Sequence, residues 1–286
     1  MPWGRLEPMD ELEKMDSVAL IAGNGPLPLV FAREAKKAGK RIVAIAHLGE
    51  TDPRLEEEVQ DIEWIHVGEL ERLLRFIKSR GVGCALFLGG VDKKKVLKNM
   101  RLDERALKLL ERLGPRGDDT LLGALASELE EEGIKVVSSA RVLARWLCPE
   151  GILSRRSPGE RERADITLGI RVLDRVGSLD IGQTVVVKEG VILAVEAIEG
   201  TDEAIRRGGA LGGSGAVVVK GSKPGQDMRF DVPVVGPKTV NVMRENGATV
   251  LALEAHRTII VEPAEVKDAI DRWGMVLLGW RRSHEP

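Results

Sequence analysis

Short apolar runs alternate with amphipathic stretches along most of this chain. Ser17–Ala22 and Arg41–Ala46 are apolar enough to form buried strands, and Leu27–Ala38 between them follows a helical spacing. Because a strand, a helix and a second strand in this order build a parallel sheet, we expect a right-handed crossover here. A further apolar run, Cys84–Leu88, adds another strand. The pattern predicts a Rossmann-like N-terminal domain with a parallel sheet over residues 17–148.

The second half of the chain shows the same alternation with a hairpin added. Thr184–Val187 and Val191–Ala197 are apolar runs, and the Lys-Glu-Gly segment between them supplies turn chemistry. The prolines and glycines of residues 149–159 favour a linker before this half. The sequence therefore predicts a mixed α/β C-terminal domain over residues 160–280, and an α/β fold class for both halves.

Two other stretches of the second half lead to specific expectations. Gly208–Gly215 has the composition of a flexible loop, and its length suits the cover of a site better than a turn. Arg229–Pro233 alternates between polar and apolar residues, which is typical of a strand. Asp231 would then lie on that strand between apolar neighbours.

Two glycine pairs follow predicted strands of the N-terminal domain. Gly23-Asn24-Gly25 comes after the first strand, and Gly89-Gly90 comes after the strand that ends at Leu88. Because strand ends of one parallel sheet meet at its carboxyl edge, the pairs predict a ligand crevice, although tight turns alone would also explain either pair. Pro28 stands where a dinucleotide fingerprint has its third glycine, and His47 rather than an acid follows the second strand. A complete NAD site is therefore not expected.

Composition narrows the classes of function. The formal net charge is -2, so bulk electrostatics gives no reason to expect nucleic acid as a partner. No apolar run is long enough to cross a bilayer, and the acidic first residues are unlike a secretory signal. Cys84 and Cys148 lie far apart and outside any metal-ligand spacing, which indicates a reduced cytoplasmic protein. Aromatic residues make up only 3% of the chain, so recognition of a base would depend on backbone and small polar groups.

Acidic side chains with apolar neighbours mark the second half. A carboxylate in such surroundings is costly unless it is paired or bound to a cation. Glu196 interrupts the predicted strand Val191–Ala197, Glu199 and Asp202 follow that strand, and Lys220 ends another. For any one of these acids a structural salt bridge or a surface position is the simpler interpretation. Together with Asp231, however, they resemble the set that Mg²⁺-assisted phosphoryl chemistry requires. No Ser-His-acid or Cys-His arrangement stands out in the sequence, which disfavours covalent catalysis.

Several sequence motifs together resemble one known family. They are IAGNGPLPL near the N-terminus, GDDTLL, the long stretch LDIGQTVVVKEGVILAVEAIEGTDEAIRR, VVVKGSKPGQDMRFDVPVVGPKTV and TIIVEPAEV. These motifs are similar to those of the LpxI-type UDP-2,3-diacylglucosamine pyrophosphatases, and the similarity runs from about Val18 to Gly279. The long central motif is far more specific than the two-glycine turn. The acidic N-terminal extension is the main departure from the family pattern.

The resemblance implies hydrolysis of the pyrophosphate of UDP-2,3-diacylglucosamine to UMP and 2,3-diacylglucosamine 1-phosphate (lipid X), one step of lipid A biosynthesis. It also implies a divalent metal, two domains that hold the lipid-bearing substrate between them, and direct attack of water on phosphorus. The catalytic aspartate of the family falls on Asp231, which we expect to bind metal or to activate water. Other positions that match family motifs are Gly23, Gly25, Leu27, Gly117, Asp118, Asp119, Gln183, Glu199, Gly200, Thr201 and Asp202.

These observations give one specific hypothesis. Asp231, Glu199 and Asp202 would hold Mg²⁺ or another divalent cation, and Asp231, Glu199 and Lys220 would act in catalysis, with Lys220 steadying the phosphate. The expected substrate-binding residues are Gly23, Asn24, Gly25, Leu27, Gly89, Gly90, Gly117, Asp118, Asp119, Gln183, Gly200 and Thr201. The enzyme would be cytoplasmic and would meet its lipid-linked sugar nucleotide at the inner membrane surface, and whether it forms a homodimer is left open. The alternatives are a non-catalytic sugar-nucleotide-binding module and a nicotinamide-dependent oxidoreductase.

Overall fold

The computed structural model describes residues 12, 14–92, 99–113 and 118–282, with the backbone alone at 118–120. These residues group into two units. The N-terminal unit comprises the described residues up to Val142 together with Asp227–Asp231. The C-terminal unit comprises Leu143–Gln226 and the described residues from Val232 onward. The segment Asp227–Asp231 therefore belongs to the N-terminal unit although the chain on either side of it belongs to the other.

The N-terminal unit is built on parallel strands with helices between them. The strands are β1 (Ser17–Ala22), β2 (Arg41–His47), β3 (Asp61–Ile65), β4 (Cys84–Leu88) and β5 (Lys135–Val136). The helices are α1 (Leu27–Lys37), α2 (Leu70–Ser79), α3 (Glu104–Leu113), α4 (Asp118–Glu131) and α5 (Ser139–Val142), with a 3₁₀ turn at Pro53–Glu57. The strand order is β3-β2-β1-β4-β5, and every pairing in this sheet is parallel.

The core of this unit follows from its apolar runs. Strand β1 lies between β2 and β4 and is buried from Val18 through Ala22, as expected for a strand inside a parallel sheet. Helix α2 places its apolar stripe, which includes Leu73 and Ile77, in the same core. Phe230, from the segment that returns from the C-terminal half, is buried there as well.

The C-terminal unit is built on a mixed sheet. Its strands are β6 (Gly151–Ile152), β7 (Thr184–Lys188), β8 (Val191–Val195), β9 (Ala216–Lys220), β10 (Val234–Val235), β11 (Ala248–Glu254), β12 (Ile259–Ile260) and β13 (Val276–Trp280). Its helices are α6 (Glu160–Ser178), α7 (Thr201–Gly212), α8 (Pro237–Glu245) and α9 (Pro263–Arg272), with a 3₁₀ turn at Ala144–Trp146. The main sheet has the order β6-β13-β11-β9-β7-β8, and β10 pairs separately with β12. Strands β9, β11 and β13 are parallel, whereas β7 is antiparallel to both of its neighbours.

The predicted fold class is confirmed. The chain is α/β, with a parallel sheet in the N-terminal unit and a mixed sheet in the C-terminal unit. Across the described ranges, every helix is too short or too polar to cross a membrane.

The expectation of a flexible loop at Gly208–Gly215 is wrong, because α7 continues through Gly212. A Cβ built on Gly208 would lie 2.6 Å from Val186 Cγ1, and one built on Gly212 would lie 2.2 Å from Leu193 Cδ1. Both distances are far below a normal contact between carbon atoms. The glycines therefore allow the helix to pack closely on β7 and β8, and this packing outweighs their low helix propensity.

The strand expected at Arg229–Pro233 is also absent from the structure of that segment. Asp227–Phe230 forms a turn in which the backbone N–H groups of Phe230 and Asp231 donate to Asp227 O, at 3.2 and 3.3 Å. The Arg229 side chain returns to the Asp227 carboxylate, with Nη2 2.8 Å from Oδ2. This hydrogen bonding lowers the pKa of Asp227 and keeps it ionised. The local pairing of Asp227 with Arg229 favours the turn over an extended strand.

Candidate active site

A buried lysine lies at the carboxyl end of β9. Lys220 is only 4% exposed, and its Nζ donates to Thr201 Oγ1 at 2.6 Å and to Thr184 Oγ1 at 3.3 Å. Thr184 begins the neighbouring strand β7, and Thr201 is the first residue of α7. The antiparallel register places Thr184 directly opposite Lys220, which explains why these side chains meet. The structure thus brings Lys220 and Thr201, two of the predicted site residues, into direct contact.

Glu196 provides the negative charge next to this lysine. Its Oε2 lies 3.9 Å from Lys220 Nζ, and its Oε1 accepts a hydrogen bond from Thr201 Oγ1 at 3.1 Å. A buried ammonium group is costly without an anion nearby, so Glu196 offsets part of the cost of burying Lys220. Glu196 Oε2 is itself buried, and among the described residues it accepts no hydrogen bond. We call Lys220, Thr184, Thr201 and Glu196 the lysine cluster.

The start of α7 adds backbone donors beside the lysine cluster. Gly200 precedes the helix with a φ of 85°, a backbone conformation that residues with a side chain rarely adopt. The first backbone N–H groups of a helix have no partner within it and favour anions. Gln183 lies at the same sheet end, where its carbonyl oxygen accepts from Gly221 N at 3.1 Å. The positive φ of Gly200 therefore requires a glycine where the chain turns from β8 into this helix.

Glu199 and Asp202 each have a cationic partner in the C-terminal unit. Glu199 Oε1 accepts from Arg207 Nη2, and Lys238 Nζ lies 2.8 Å from Asp202 Oδ2. Burial acts to raise the pKa of Glu199, but hydrogen bonds from its own backbone N–H and from Arg207 outweigh burial, and the pKa is lowered. Glu199 is therefore ionised at neutral pH. Together with Arg207 it lines an open depression of about 760 Å³ along β8 and α7.

The predicted metal ligands Asp231, Glu199 and Asp202 are carboxylates that suit a divalent cation, but among the described residues they do not form a preorganised metal site. Carboxylate oxygens are the donors that Mg²⁺ prefers. Glu199 and Asp202 are in ion pairs, however, so a cation would compete with Arg207 and Lys238 for them. Asp231 belongs to the N-terminal unit. In the described part of the chain, no three His, Cys, Asp or Glu side chains are grouped as a metal site would require.

Asp231 is held by the turn that precedes it. The ring of Phe230 packs edge-on against Phe87 in β4, with centroids 5.4 Å apart. The backbone N–H groups of Ser139 and Ala140 donate to the carbonyl oxygens of Arg229 and Met228, both at 3.3 Å. Phe87 is the penultimate residue of β4, so these contacts bring the turn to the carboxyl edge of the parallel sheet. Asp231 therefore follows directly on a residue anchored at that edge.

The two glycine pairs of the N-terminal unit do meet. Asn24 N donates to Gly90 O at 2.7 Å, and the two residues form an antiparallel bridge. A Cβ on Gly23 would lie 2.1 Å from Gly90 O, and a Cβ on Gly89 would lie 2.4 Å from Asn24 O. The glycines are thus explained by the close approach of the two turns, and they bring Asn24 to the sheet edge.

Sequence reasoning missed an acid at this edge. Glu50 lies three residues after β2, and its Oε2 accepts from Asn24 Nδ2 at 2.8 Å and from Asp92 N at 2.7 Å. The sequence prediction rested on His47, the residue directly after the predicted strand, whereas Glu50 lies three residues further along the chain. The His47 Nδ1 lies 2.9 Å from Ala22 O, and burial lowers the pKa of its imidazole. His47 is therefore neutral at pH 7.

Comparison with known proteins agrees with the motifs. The LpxI N-terminal domain model matches residues 17–146, and the LpxI C-terminal domain model matches residues 149–278. A curated relative, UDP-2,3-diacylglucosamine pyrophosphatase LpxI of Caulobacter vibrioides, is 33% identical over 276 residues, which cover 93% of this chain and 98% of the relative. The chain belongs to the LpxI family. The family assignment made from the motifs is confirmed.

Likenesses to solved structures are much weaker than the match to the LpxI family. The biotin carboxylase domain of 2-oxoglutarate carboxylase from Hydrogenobacter thermophilus gives a TM-score of 0.25 at 17% identity, covering 64% of this chain and 38% of that one. The biotin carboxylase subunit of pyruvate carboxylase gives a TM-score of 0.26 at 14% identity, covering 65% and 38%. Neither likeness carries an argument about fold or function.

The remaining residues taken from LpxI motifs have mixed surroundings. Leu27 is a buried residue of α1, which gives it a core role in addition to any contact with substrate. Gly117 lies outside the described residues, and Asp118 and Asp119 form the first turn of α4. The structure thus brings together Lys220 with Thr201, and Asn24 with Gly90, and it gives Asp231 a fixed backbone.

Proposed function

We propose that this chain hydrolyses the pyrophosphate of UDP-2,3-diacylglucosamine to UMP and 2,3-diacylglucosamine 1-phosphate. The observation that carries this proposal is the match to the Caulobacter relative, whose name states that activity and which aligns over 98% of its length. In the reaction the oxygen of water bonds to one phosphorus, the bridging oxygen leaves with the other phosphoryl group, and the proton that water loses is released to solvent. No covalent intermediate with the enzyme is needed.

The lysine cluster supports a role in holding phosphate. Thr201 is the first residue of α7, so a phosphate at this helix start would meet the backbone N–H groups of the first helical turn. Lys220 Nζ is buried and already donates to Thr201 and Thr184, and the Thr201 hydroxyl donates in turn to Glu196, so Lys220 would act on the phosphate through its positive charge. We propose that Lys220 holds Thr201 in place at the helix start and adds positive potential there.

A divalent cation, with Mg²⁺ as first choice, belongs to the same proposal. Glu196, Glu199 and Asp202 are acids around the start of α7, and their charges would repel a diphosphate. When bound, the cation would neutralise phosphate oxygens. We propose Asp231, Glu199 and Asp202 as the carboxylates that would hold it, and Asp231 as the group that orients the attacking water.

The test is release of UMP from UDP-2,3-diacylglucosamine by the purified protein, with Mg²⁺ and with EDTA. We expect turnover that EDTA abolishes, and a loss of about 100-fold or more in kcat for Asp231→Ala. Asp268→Ala, which removes an exposed aspartate on α9, is the matched control and should keep wild-type activity. An Asp231→Ala enzyme with the wild-type rate would contradict the assigned role. Binding of the nucleotide without turnover would favour the non-catalytic module.

We also propose that the protein meets this substrate in the cytoplasm at the inner membrane surface, because the acyl chains of such a substrate partition into lipid. Sedimentation with phospholipid vesicles, with and without the substrate, tests this. We expect the bound fraction to rise when the vesicles carry substrate, and an unchanged bound fraction would contradict the proposal.

A further inference from the structure

In the described part of the chain, only one of the two carboxylate oxygens of Glu50 accepts side-chain or backbone hydrogen bonds. Its Oε2 accepts two hydrogen bonds, from Asn24 Nδ2 and from Asp92 N. Its Oε1 is buried, and within the described ranges it accepts none. A buried carboxylate oxygen without a donor is costly, so a donor that arrives with a ligand would be favoured there.

Glu50 also differs from a neighbouring acid in its ion pairing within the described residues. Glu58, a little further along the same connection between β2 and β3, pairs with Arg33 and Lys36. Glu50, by contrast, forms no ion pair with a lysine or arginine among the residues that the structure describes. In the part of the chain that the structure describes, a salt bridge therefore accounts for Glu58 but not for Glu50.

The position of Glu50 in the fold is that of a ligand site. Strand β1 lies between β2 and β4. From β1 the strand order continues to β2 and β3 on one side and to β4 and β5 on the other, so the order reverses between β1 and β4. Ligands of open parallel sheets bind at the carboxyl edge at such a switch point. Asn24 and Gly90 lie on the two turns there, and Asn24 holds Glu50 between them.

The chemistry of Glu50 selects among possible ligand groups. An ionised carboxylate repels a phosphate and accepts hydrogen bonds from hydroxyl groups, and such charge-assisted bonds are among the stronger ones. The end of a nucleotide that carries paired hydroxyls and no charge is the ribose. The phosphates must then point away from Glu50.

We propose that Glu50 binds the ribose hydroxyls of the nucleotide, with Asn24 as its positioning residue. This places the nucleoside part of the substrate at the carboxyl edge of the N-terminal sheet. The proposal rests on the proposed function for the identity of the nucleotide. It adds a specificity for ribonucleotides over deoxyribonucleotides, together with the residue that enforces it.

Glu50→Gln keeps an acceptor for the two donors at Oε2 and changes the group at Oε1. Asn24 Nδ2 and Asp92 N both require an acceptor, so the carbonyl oxygen of the new glutamine takes the place of Oε2. Its NH₂ group then replaces Oε1 and presents donors where the carboxylate presented an acceptor. The contacts that hold the turn are kept, and the melting temperature should stay close to that of the wild type.

The experiment is calorimetric titration with UMP, 2′-deoxy-UMP and 3′-deoxy-UMP. We expect the wild type to bind at least one deoxynucleotide about tenfold or more weakly than UMP, and Glu50→Gln to reduce that ratio to about twofold or less. Glu57→Gln, which changes an exposed acid on the same connection, is the control and should keep the wild-type ratio. A wild type that does not distinguish the nucleotides or does not bind them, or a Glu50→Gln variant with the full ratio, would overturn the proposal.

The UMP-release assay separates this inference from the proposed function. Turnover by a wild type that shows no preference for ribose would overturn the role of Glu50 and leave the proposed function standing. A ribose preference that depends on Glu50, in a protein that does not hydrolyse the substrate, would support the Glu50 site and contradict the proposed function.

Discussion

The end of β9 in the C-terminal unit and the carboxyl edge of the N-terminal sheet are formed by different kinds of contact. The edge of the N-terminal sheet is made of backbone, where the turns at Asn24 and Gly90 bond directly to each other. The end of β9 in the C-terminal unit is made of side chains, where a buried lysine contacts two threonines and a glutamate. Glycine and charge are both sequence signals of a site, but they have different structural explanations here.

The difference shows which signal indicates chemistry. Gly23 and Gly89 are explained by packing, because any side chain would collide with the opposite turn. The lysine cluster has no such explanation, because burying an ammonium group and a carboxylate is costly even when they are paired. In the N-terminal unit the comparable signal is Glu50, whose Oε1 accepts no hydrogen bond from the described residues. Buried polar groups identify the candidate sites better than the glycines do.

The largest expected effect in this comparison is that of Lys220→Met. The change leaves Glu196 buried without its cation, so we expect the free energy of unfolding to fall by about 3–5 kcal/mol. Lys238→Met removes the cation of Asp202, but Lys238 is 82% exposed, and the loss should stay below about 1 kcal/mol. Urea denaturation measures both. Equal losses for the two lysines would show that Lys220 is not a buried ion-pair partner.

Gly23→Ala tests the packing explanation of the N-terminal edge. The new methyl group would lie 2.1 Å from Gly90 O, and we expect a loss of about 1–3 kcal/mol in the free energy of unfolding. Gly83→Ala is the control, because a Cβ there meets no atom within 4 Å, and its effect should lie within about 0.5 kcal/mol. If both variants were equally stable, the turns would not be in the close contact described above.

The smallest expected effect is the pH dependence contributed by His47. Burial lowers the pKa of the folded imidazole below its ordinary value of 6.5, so the unfolded chain binds the proton first as the pH falls. Stability from this group is fully present above pH 6.5 and is lost as the pH falls toward the folded pKa, by at most about 1.4 kcal/mol per pH unit. Urea denaturation between pH 7.5 and 5.5, about one unit on either side of that ordinary value, should show a smaller slope for His47→Gln. An identical slope in both proteins would contradict a lowered pKa.

Elements with a clear apolar period could be predicted from the sequence. Ser17–Ala22 and Cys84–Leu88 have the bounds that their patterns indicate, because burial inside a sheet sets the apolar run directly. The continuation of α7 across Gly208–Gly212 could not be predicted in this way. It depends on contacts with Val186 and Leu193, which are distant in sequence.

The candidate site could be predicted only in part. Lys220 and Thr201 were expected together on the basis of strand ends and motifs, and they are in contact. Thr184 was not expected, since its place opposite Lys220 follows from the antiparallel register of β7. Glu50 was missed because it lies beyond the strand end, and only the fold brings it to Asn24. The turn at Asp227–Asp231 depends on Phe230 entering a core that is formed by a different part of the chain.

The account depends most on the claim that water attacks a phosphorus of the substrate pyrophosphate. The most direct measurement is mass spectrometry of the products formed from UDP-2,3-diacylglucosamine in water enriched in ¹⁸O. The account predicts UMP and 2,3-diacylglucosamine 1-phosphate, with one ¹⁸O atom in the phosphate of one of them. The appearance of UDP, or of two unlabelled monophosphates, would contradict it.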